Sequence, residues 1–523
     1  MLSSKIFRAN GLLRKIELKS PLCLRTLTSY GREEKQMNID TRMDGVLLRQ
    51  VLNLTLKESS ATNVDGDSKV VEFKHPNELQ DLLKLNISQN GLSIDEVMKV
   101  LDEVVRFSVK TSHPHFYNQL YGGIDEIGLA ASWISSTLNT NQHTYEIAPV
   151  FILMEHYLIK YLAKLFGWSD GDGIFSPGGS MSNMYAMQLA RYRLYPDSKV
   201  EGIFGNKPLT AFTSDQSHYS IKKAAAWMGI GMNNVIAVAT DSQGRMLPEA
   251  LREAIRESRN CGGVPFFVNA TSGTTVLGAF DPLDQLADIC EEEKLWLHVD
   301  ACWGGTAILS QKYKHNLEGI HRVDSIAWNP HKMLGAPLQC STFIVKHKGL
   351  LHECNSAKAS YLFQQDKFYD VSFDTGDKSF QCGRKVDAFK LYLLLSSHGL
   401  SEIERRVDAA FRASEYLYEQ VKNRPDFRAV IDRPQCTNVC FWYIPPSLQQ
   451  QPETPEWWDH LSKVAPKLKA RMVQNGELMI GYQPIQDKGL VNFFRLVNCC
   501  IPCPTNEQMD QVLEIIQRLG EDL

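Results

Sequence analysis

The chain has 523 residues, 43% of them apolar and 22% charged, with a formal net charge of -4. That length predicts two or three packed units rather than one small domain. The scattered basic residues offer no nucleic-acid surface, and no apolar run approaches the roughly 20 residues that a membrane span needs.

Residues 1–37 form a basic tail. In its first 32 residues Lys5, Arg8, Arg14, Lys15, Lys19, Arg25 and Arg32 stand against a single acid, Glu17, among interspersed Leu and Ile. The composition fits an amphipathic mitochondrial presequence or a basic tail on a cytoplasmic protein, and the cytoplasmic reading is preferred. Residues 38–115 read as a helical segment: Leu47, Val51 and Leu54 recur at helical spacing, and 94–109 repeats the pattern. Between them, 58–67 has no periodicity and reads as a polar loop.

From there to about residue 400 short apolar runs alternate with amphipathic stretches. The runs 209–213, 235–239, 266–269, 295–299 and 325–328 predict strands; 222–228, 247–258 and 283–294 predict helices. Such alternation implies right-handed crossovers and a mainly parallel sheet covered on both faces, with ligands outside the carboxyl ends of its strands. After residue 400 a charged helix (402–422), short strands (438–443 and 492–497) and an amphipathic helix ending near Leu519 predict a smaller α+β unit. The 12 cysteines show no repeating framework, and Cys340 and Cys440 stand in apolar runs, so a reducing compartment is expected. Cys500 and Cys503 give one CxxC spacing, with no second pair or histidine cluster to make it a zinc site.

Four features carry chemistry. Most lysines are solvated surface residues. Lys332 instead follows the apolar run Ser-Ile-Ala-Trp and lies between His331 and Met333-Leu334, where partial removal from water favours the amine as a nucleophile towards an aldehyde. Asp300 ends the run Leu-Trp-Leu-His-Val-Asp; it suits a helix cap, and equally an anion facing a pyridinium nitrogen. Gly178-Gly179-Ser180 opens the apolar stretch 181–189, as an ordinary turn or as a phosphate cradle at a helix N-terminus. His218, after the run 209–213, is a structural histidine or a ring laid over a cofactor. Neither a dinucleotide nor a Walker fingerprint is present.

Together these residues resemble the group II pyridoxal-phosphate decarboxylases of the glutamate, cysteine sulfinate and aspartate branch. The resemblance rests on HPHFYNQL (113–120), TYEIAPVF (144–151), SPGGSMSNMYA (176–186), NATSGTTVLGAFDP (269–282), HVDACWGG (298–305), NPHKMLGAPLQCS (329–341) and SYLFQQDKFYD (360–370). It implies an α/β type I pyridoxal-phosphate (aspartate aminotransferase-like) fold, with a large cofactor-binding domain over 116–400 and a small domain over 401–523. It implies pyridoxal 5'-phosphate held as a Schiff base on Lys332, Asp300 at the pyridinium nitrogen and His218 on the ring. Ser180, Met181 through its backbone, Asn329 and His331 would hold or support the phosphate, with Thr271 and Cys302 nearby; relatives usually carry Ala at position 302. Tyr361 would be the proton donor on a mobile loop. Arg495 would bind the substrate's distal acid, with Gln119, Asn141 and His143 lining its pocket. A homodimer with sites at the subunit interface is expected.

For the substrate, Asn141 matches the glutamate enzymes, whereas the cysteine sulfinate branch tends to Ser. His143 is neither the Phe of the former nor the Tyr of the latter. Gly335-Ala336-Pro337 looks like insect aspartate 1-decarboxylases. The expected order is aspartate (giving β-alanine), then cysteine sulfinate, then glutamate.

Overall fold

The computed structural model describes residues 45–59 and 68–523. The basic tail and most of the polar run 58–67 lie outside the described residues. Chain contacts separate residues 1–50 from 51–523, and the architecture below is that of the second unit. Helix Ile94–Phe107 covers the predicted periodic stretch, opened by a capping box in which Ser93 and Glu96 satisfy each other's backbone N–H groups.

The strands are β1 (Phe116–Tyr117), β2 (Asp172–Phe175), β3 (Leu209–Ser214), β4 (Val235–Val238), β5 (Val264–Thr271), β6 (Trp296–Asp300), β7 (Ser325–Trp328), β8 (Thr342–Val345), β9 (Phe427–Ala429), β10 (Asn438–Tyr443), β11 (Met479–Ile485) and β12 (Leu490–Val497). The larger sheet has the order β2-β8-β7-β6-β5-β3-β4. β4, β3, β5, β6 and β7 run parallel, while β8 lies antiparallel between β7 and β2. β3, β6 and β7 are buried along their whole length, because helices cover both faces; this is why they read as continuous apolar runs instead of alternating ones. The α/β fold expected from the sequence is therefore present.

The second sheet has the order β1-β11-β12-β10-β9 and is antiparallel except where β1 pairs with β11. Phe116 and Tyr117 pair with Met479 and Ile480. The segment expected to open the large domain at 116 thus contributes its first strand to the C-terminal sheet. Helix Asp387–Asn423 likewise crosses the expected boundary at 400, with its break at Gly399, whose φ of 72° no helical residue adopts.

Candidate active site

Parallel strands deliver their C-terminal tips to one edge, and the register here is direct. Thr271 on β5 pairs with Asp300 on β6, and Asp300 pairs with Ala327 on β7, one residue short of Trp328 and two short of Asn329. Above these tips lies a cavity of about 220 Å³ lined by Gly179, Ser180, Asn183, His218, Thr271, Thr275, Asp300, Cys302, Asn329, His331 and Lys332, among others.

Asp300 is the electrostatic centre. Burial pushes its carboxyl up, but the charges of Lys332 and His218, with bonds from Asn183 and Cys302, hold it below the usual carboxylate range. Asn183 Nδ2 donates to Asp300 Oδ2 at 2.8 Å, and the Cys302 N–H donates to Oδ1 at 3.1 Å. Cys302 itself is a buried thiol whose burial beside Asp300 keeps it protonated. Lys332 is half-buried, and its charge acts on both Asp300 and His218. His218 Nδ1 meets Ser220 Oγ at 2.8 Å; burial first, then the lysine charges, pushes its pKa below the ordinary value, against the pull of Asp300.

The candidate phosphate cradle, Gly178-Gly179, stands at the start of helix Gly179–Leu194. Gly178 has a φ of 104°, and a Cβ on Gly179 would collide with Cys302 Sγ and stand 3.0 Å from Asn329 Nδ2. Ser341 Oγ donates to Asn329 Oδ1 at 2.6 Å, and Ser176 and Ser182 hydroxyls join it, so four polar side chains fix the cradle's floor. Ser180 lines the cavity. Met181 does not: its N–H turns back to Gly178 O at 3.1 Å. His331 Nδ1 lies between the N–H and C=O of Cys340, and burial brings its pKa down to about 4, leaving it neutral.

Arg495, on β12, does not itself line the cavity but is buried behind Thr275, which does: Nη1 donates to Thr275 O (3.1 Å), Nη2 donates to Asn118 O (3.0 Å), and Nε has no partner. Gln119, next to Asn118, is exposed there. The other predicted residues stand apart. Asn141 is tied by its amide to Arg384 N and Cys382 O. His143 is buried with both ring nitrogens unpartnered, its centroid 5.2 Å from Phe363. Tyr361 is 78% exposed, on a loop stapled by Asp374, which accepts from Tyr145 N, Tyr369 Oη and Lys367 Nζ. Beneath that loop a larger hollow of about 1030 Å³, lined by Asp172, His352, Phe363 and Lys378, contains none of the predicted cofactor residues.

Sequence reasoning missed Asn183, His298, Ser220 and Asp281. His298, two residues before Asp300 on β6 and so on the same face, meets Asn183 Oδ1 at 3.0 Å. Asp281 accepts from Thr271 N at 2.7 Å and pins the β5 tip. An amide in the stretch 181–189 does not by itself mark a site in the sequence.

The cavity suits pyridoxal phosphate by its own features: an anion at the strand tips, an amine facing it, a glycine whose Cβ would fill the cradle, and a buried Thr271 hydroxyl without a partner. Fold and site together define a type I pyridoxal-phosphate enzyme. A model of the pyridoxal-dependent decarboxylase conserved domain matches residues 76–444. The chain is 51% identical to a mouse acidic amino acid decarboxylase GADL1 over 485 residues (92% of this chain, 88% of the relative). It is also 51% identical to a human cysteine sulfinic acid decarboxylase over 480 residues (91% and 96%). The crystal structure of mouse CSAD superposes with a TM-score of 0.88 at 48% identity, covering 91% of this chain and 98% of that one. The chain belongs to the pyridoxal-dependent decarboxylases, in the group II branch that acts on acidic amino acids.

Proposed function

We propose that the enzyme removes the α-carboxylate of an acidic amino acid with one methylene between Cα and the acid group, cysteine sulfinate ahead of aspartate. The observation that carries this reading is Arg495, buried behind Thr275 of the Lys332 cavity's lining and bonded only to neutral oxygens. A guanidinium in that setting suits bidentate recognition of a sulfinate or carboxylate. Cysteine sulfinate takes first place because a relative bearing that name is 51% identical over nine-tenths of the chain. Aspartate, favoured by Gly335-Ala336-Pro337, comes second, and glutamate third; a methylene is worth only about 1–3 kcal/mol, so discrimination is partial.

Pyridoxal phosphate, when bound, supplies the electron sink for the bond that breaks as carbon dioxide leaves. Lys332 would anchor it, Asp300 would hold its ring nitrogen protonated, and Ser180, Thr271, Asn329 and His331 would fix the phosphate and ring. His218 shields the cavity from water, and Arg495 sets the orientation of the substrate so that the α-carboxylate is the group displaced. Tyr361 gives a proton to Cα. In its own chain Tyr361 is exposed, and neither it nor Asn141 nor His143 lines the Lys332 cavity, which supports a homodimer in which these residues complete the partner's site. Val150, Leu153 and Tyr157, exposed on one face of helix Pro149–Leu165, supply an apolar surface for that contact. We place the enzyme in the cytoplasm, in keeping with free cysteines throughout the described residues; among those residues no helix is long and apolar enough to cross a membrane. The deciding assay offers cysteine sulfinate, aspartate and glutamate in parallel and measures carbon dioxide with hypotaurine, β-alanine and GABA. A preference for glutamate would overturn the one-methylene reading.

A further inference from the structure

Arg495, bonded to Thr275 of the cavity lining, has a second cation close by. Lys469, on helix Pro455–Asn475, donates from Nζ to Asn118 Oδ1 at 2.6 Å, while the carbonyl of the same residue accepts Arg495 Nη2 at 3.0 Å. One asparagine thus ties two positive side chains together, one through its amide oxygen and one through its backbone. The backbone at Gly481 passes close enough that a Cβ there would stand 3.2 Å from Arg495 Nη2 and 3.4 Å from Asn118 O, so the guanidinium has little room to turn away. Among the described residues neither cation makes an ion pair, and their hydrogen bonds end on neutral oxygens. Arg495 is only 8% exposed, with Nε unpartnered. Two like charges in one partly dry place repel each other, and an anion placed between them relieves that cost.

Resting on the reading of Arg495 as the acid-binding residue, we propose that Lys469 is the second cation of the side-chain acid site. It is a positioning residue that acts on Arg495 through Asn118 and raises the site's affinity for an anionic side chain. Burial, with the neighbouring Arg495 charge adding to it, brings the Lys469 amine down to about 8, as expected of a cation lacking a counter-ion.

The test uses the holoenzyme and succinate, which is aspartate without its amino group, titrated by calorimetry, together with kcat and KM for cysteine sulfinate. Lys469→Met is expected to raise the succinate dissociation constant and KM by about tenfold, the scale of one hydrogen bond to a charged group, with kcat within about twofold. Lys469→Arg should recover most of the loss. Asn118→Asp separates positioning from mere structure. Its carboxylate pairs with Lys469 Nζ and takes up the charge that would otherwise draw an anion, so thermal stability should hold or rise while succinate affinity falls; a purely structural role gives no loss of affinity. Wild-type succinate affinity in both Lys469→Met and Asn118→Asp would overturn the proposal, and Asn118→Asp, nearly isosteric, decides it alone if Lys469→Met does not fold. Arg495→Met is the control. If it loses succinate while the other two do not, the role of Lys469 fails and the acid site stands; if it too binds like wild type, the acid-site reading has failed.

Discussion

Asn183 Nδ2 donates to both Asp300 Oδ2 and Ser220 Oγ, and its carbonyl receives His298 Nε2. The chain continues inward: His298 Nδ1 accepts from Ser325 Oγ at 2.9 Å, and Ser325 Oγ in turn accepts from Trp296 Nε1. Asn183 Oδ1 can only accept, so His298 Nε2 carries the proton, which fixes the tautomer and points the Asn183 amide at Asp300. Asp300 therefore keeps its charge and its direction. In Asn183→Leu the His298 ring loses the acceptor of Nε2 and Asp300 Oδ2 loses its donor, at about 1–3 kcal/mol for each unsatisfied group. The cofactor dissociation constant, read from absorbance as apoenzyme is titrated with pyridoxal phosphate, should rise at least tenfold. Unchanged affinity would mean that Asp300 needs no such support. Lys332 and Asp300 could be picked out in the sequence because each follows a strand-like run. Asn183 and His298 could not, since their partnership exists only once helix Gly179–Leu194 lies across β6.

At the scale of elements, that helix is the part of the site least tolerant of change. Gly179 and Ser180 of its first turn line the cavity, and Gly179 is small because Cys302 and Asn329 stand where a Cβ would go. Gly179→Ala should weaken cofactor binding by about tenfold or more, whereas Gly178, with open space around it, resists substitution only through its φ of 104°. The loop bearing Tyr361 makes a contrasting case. Tyr361→Phe should lower kcat by a factor on the order of 10²–10⁴ and leave cofactor affinity intact, because the side chain is exposed in its own subunit; a variant with full turnover would remove Tyr361 from proton transfer. The central parallel strands were legible in sequence because burial on both faces leaves continuous apolar runs, and β7 and β10 match their expected limits. β8, the antiparallel strand beside β7, was not read, since Thr-Phe-Ile-Val follows a loop with no helix to announce a new strand. β11 was missed too: its burial alternates along a short stretch containing Gly481 and Pro484, and its place is set by pairing with β12.

At the scale of the molecule, the exposed face of Val150, Leu153 and Tyr157 next to Asn141 and His143 predicts that a polar substitution such as Leu153→Lys converts a dimer to a monomer in sedimentation and abolishes turnover. Acid lability is a second property of the whole. His298, His331 and His113 are held down to about 4 by burial, against about 6.5 in an unfolded chain. Above pH 6.5 both states are neutral and the histidines exact no penalty. As pH falls from 6.5 towards 4 the unfolded chain takes up protons first, so folded stability drops. For fully buried His298 that share approaches roughly 3 kcal/mol, at 1.36 kcal/mol per unit of pKa. Asp281 acts in the opposite direction: burial raises it to about 7, so the folded state takes its proton first and gains stability as pH falls. The histidine share is therefore read as a difference. Between pH 7.5 and 5.0, His298→Gln should lose less melting temperature than the wild type, and Asp281→Asn should lose more. Equal slopes in wild type and His298→Gln would show that His298 takes up its proton without unfolding, and that the row from Trp296 to Asp300 tolerates a charge at its centre.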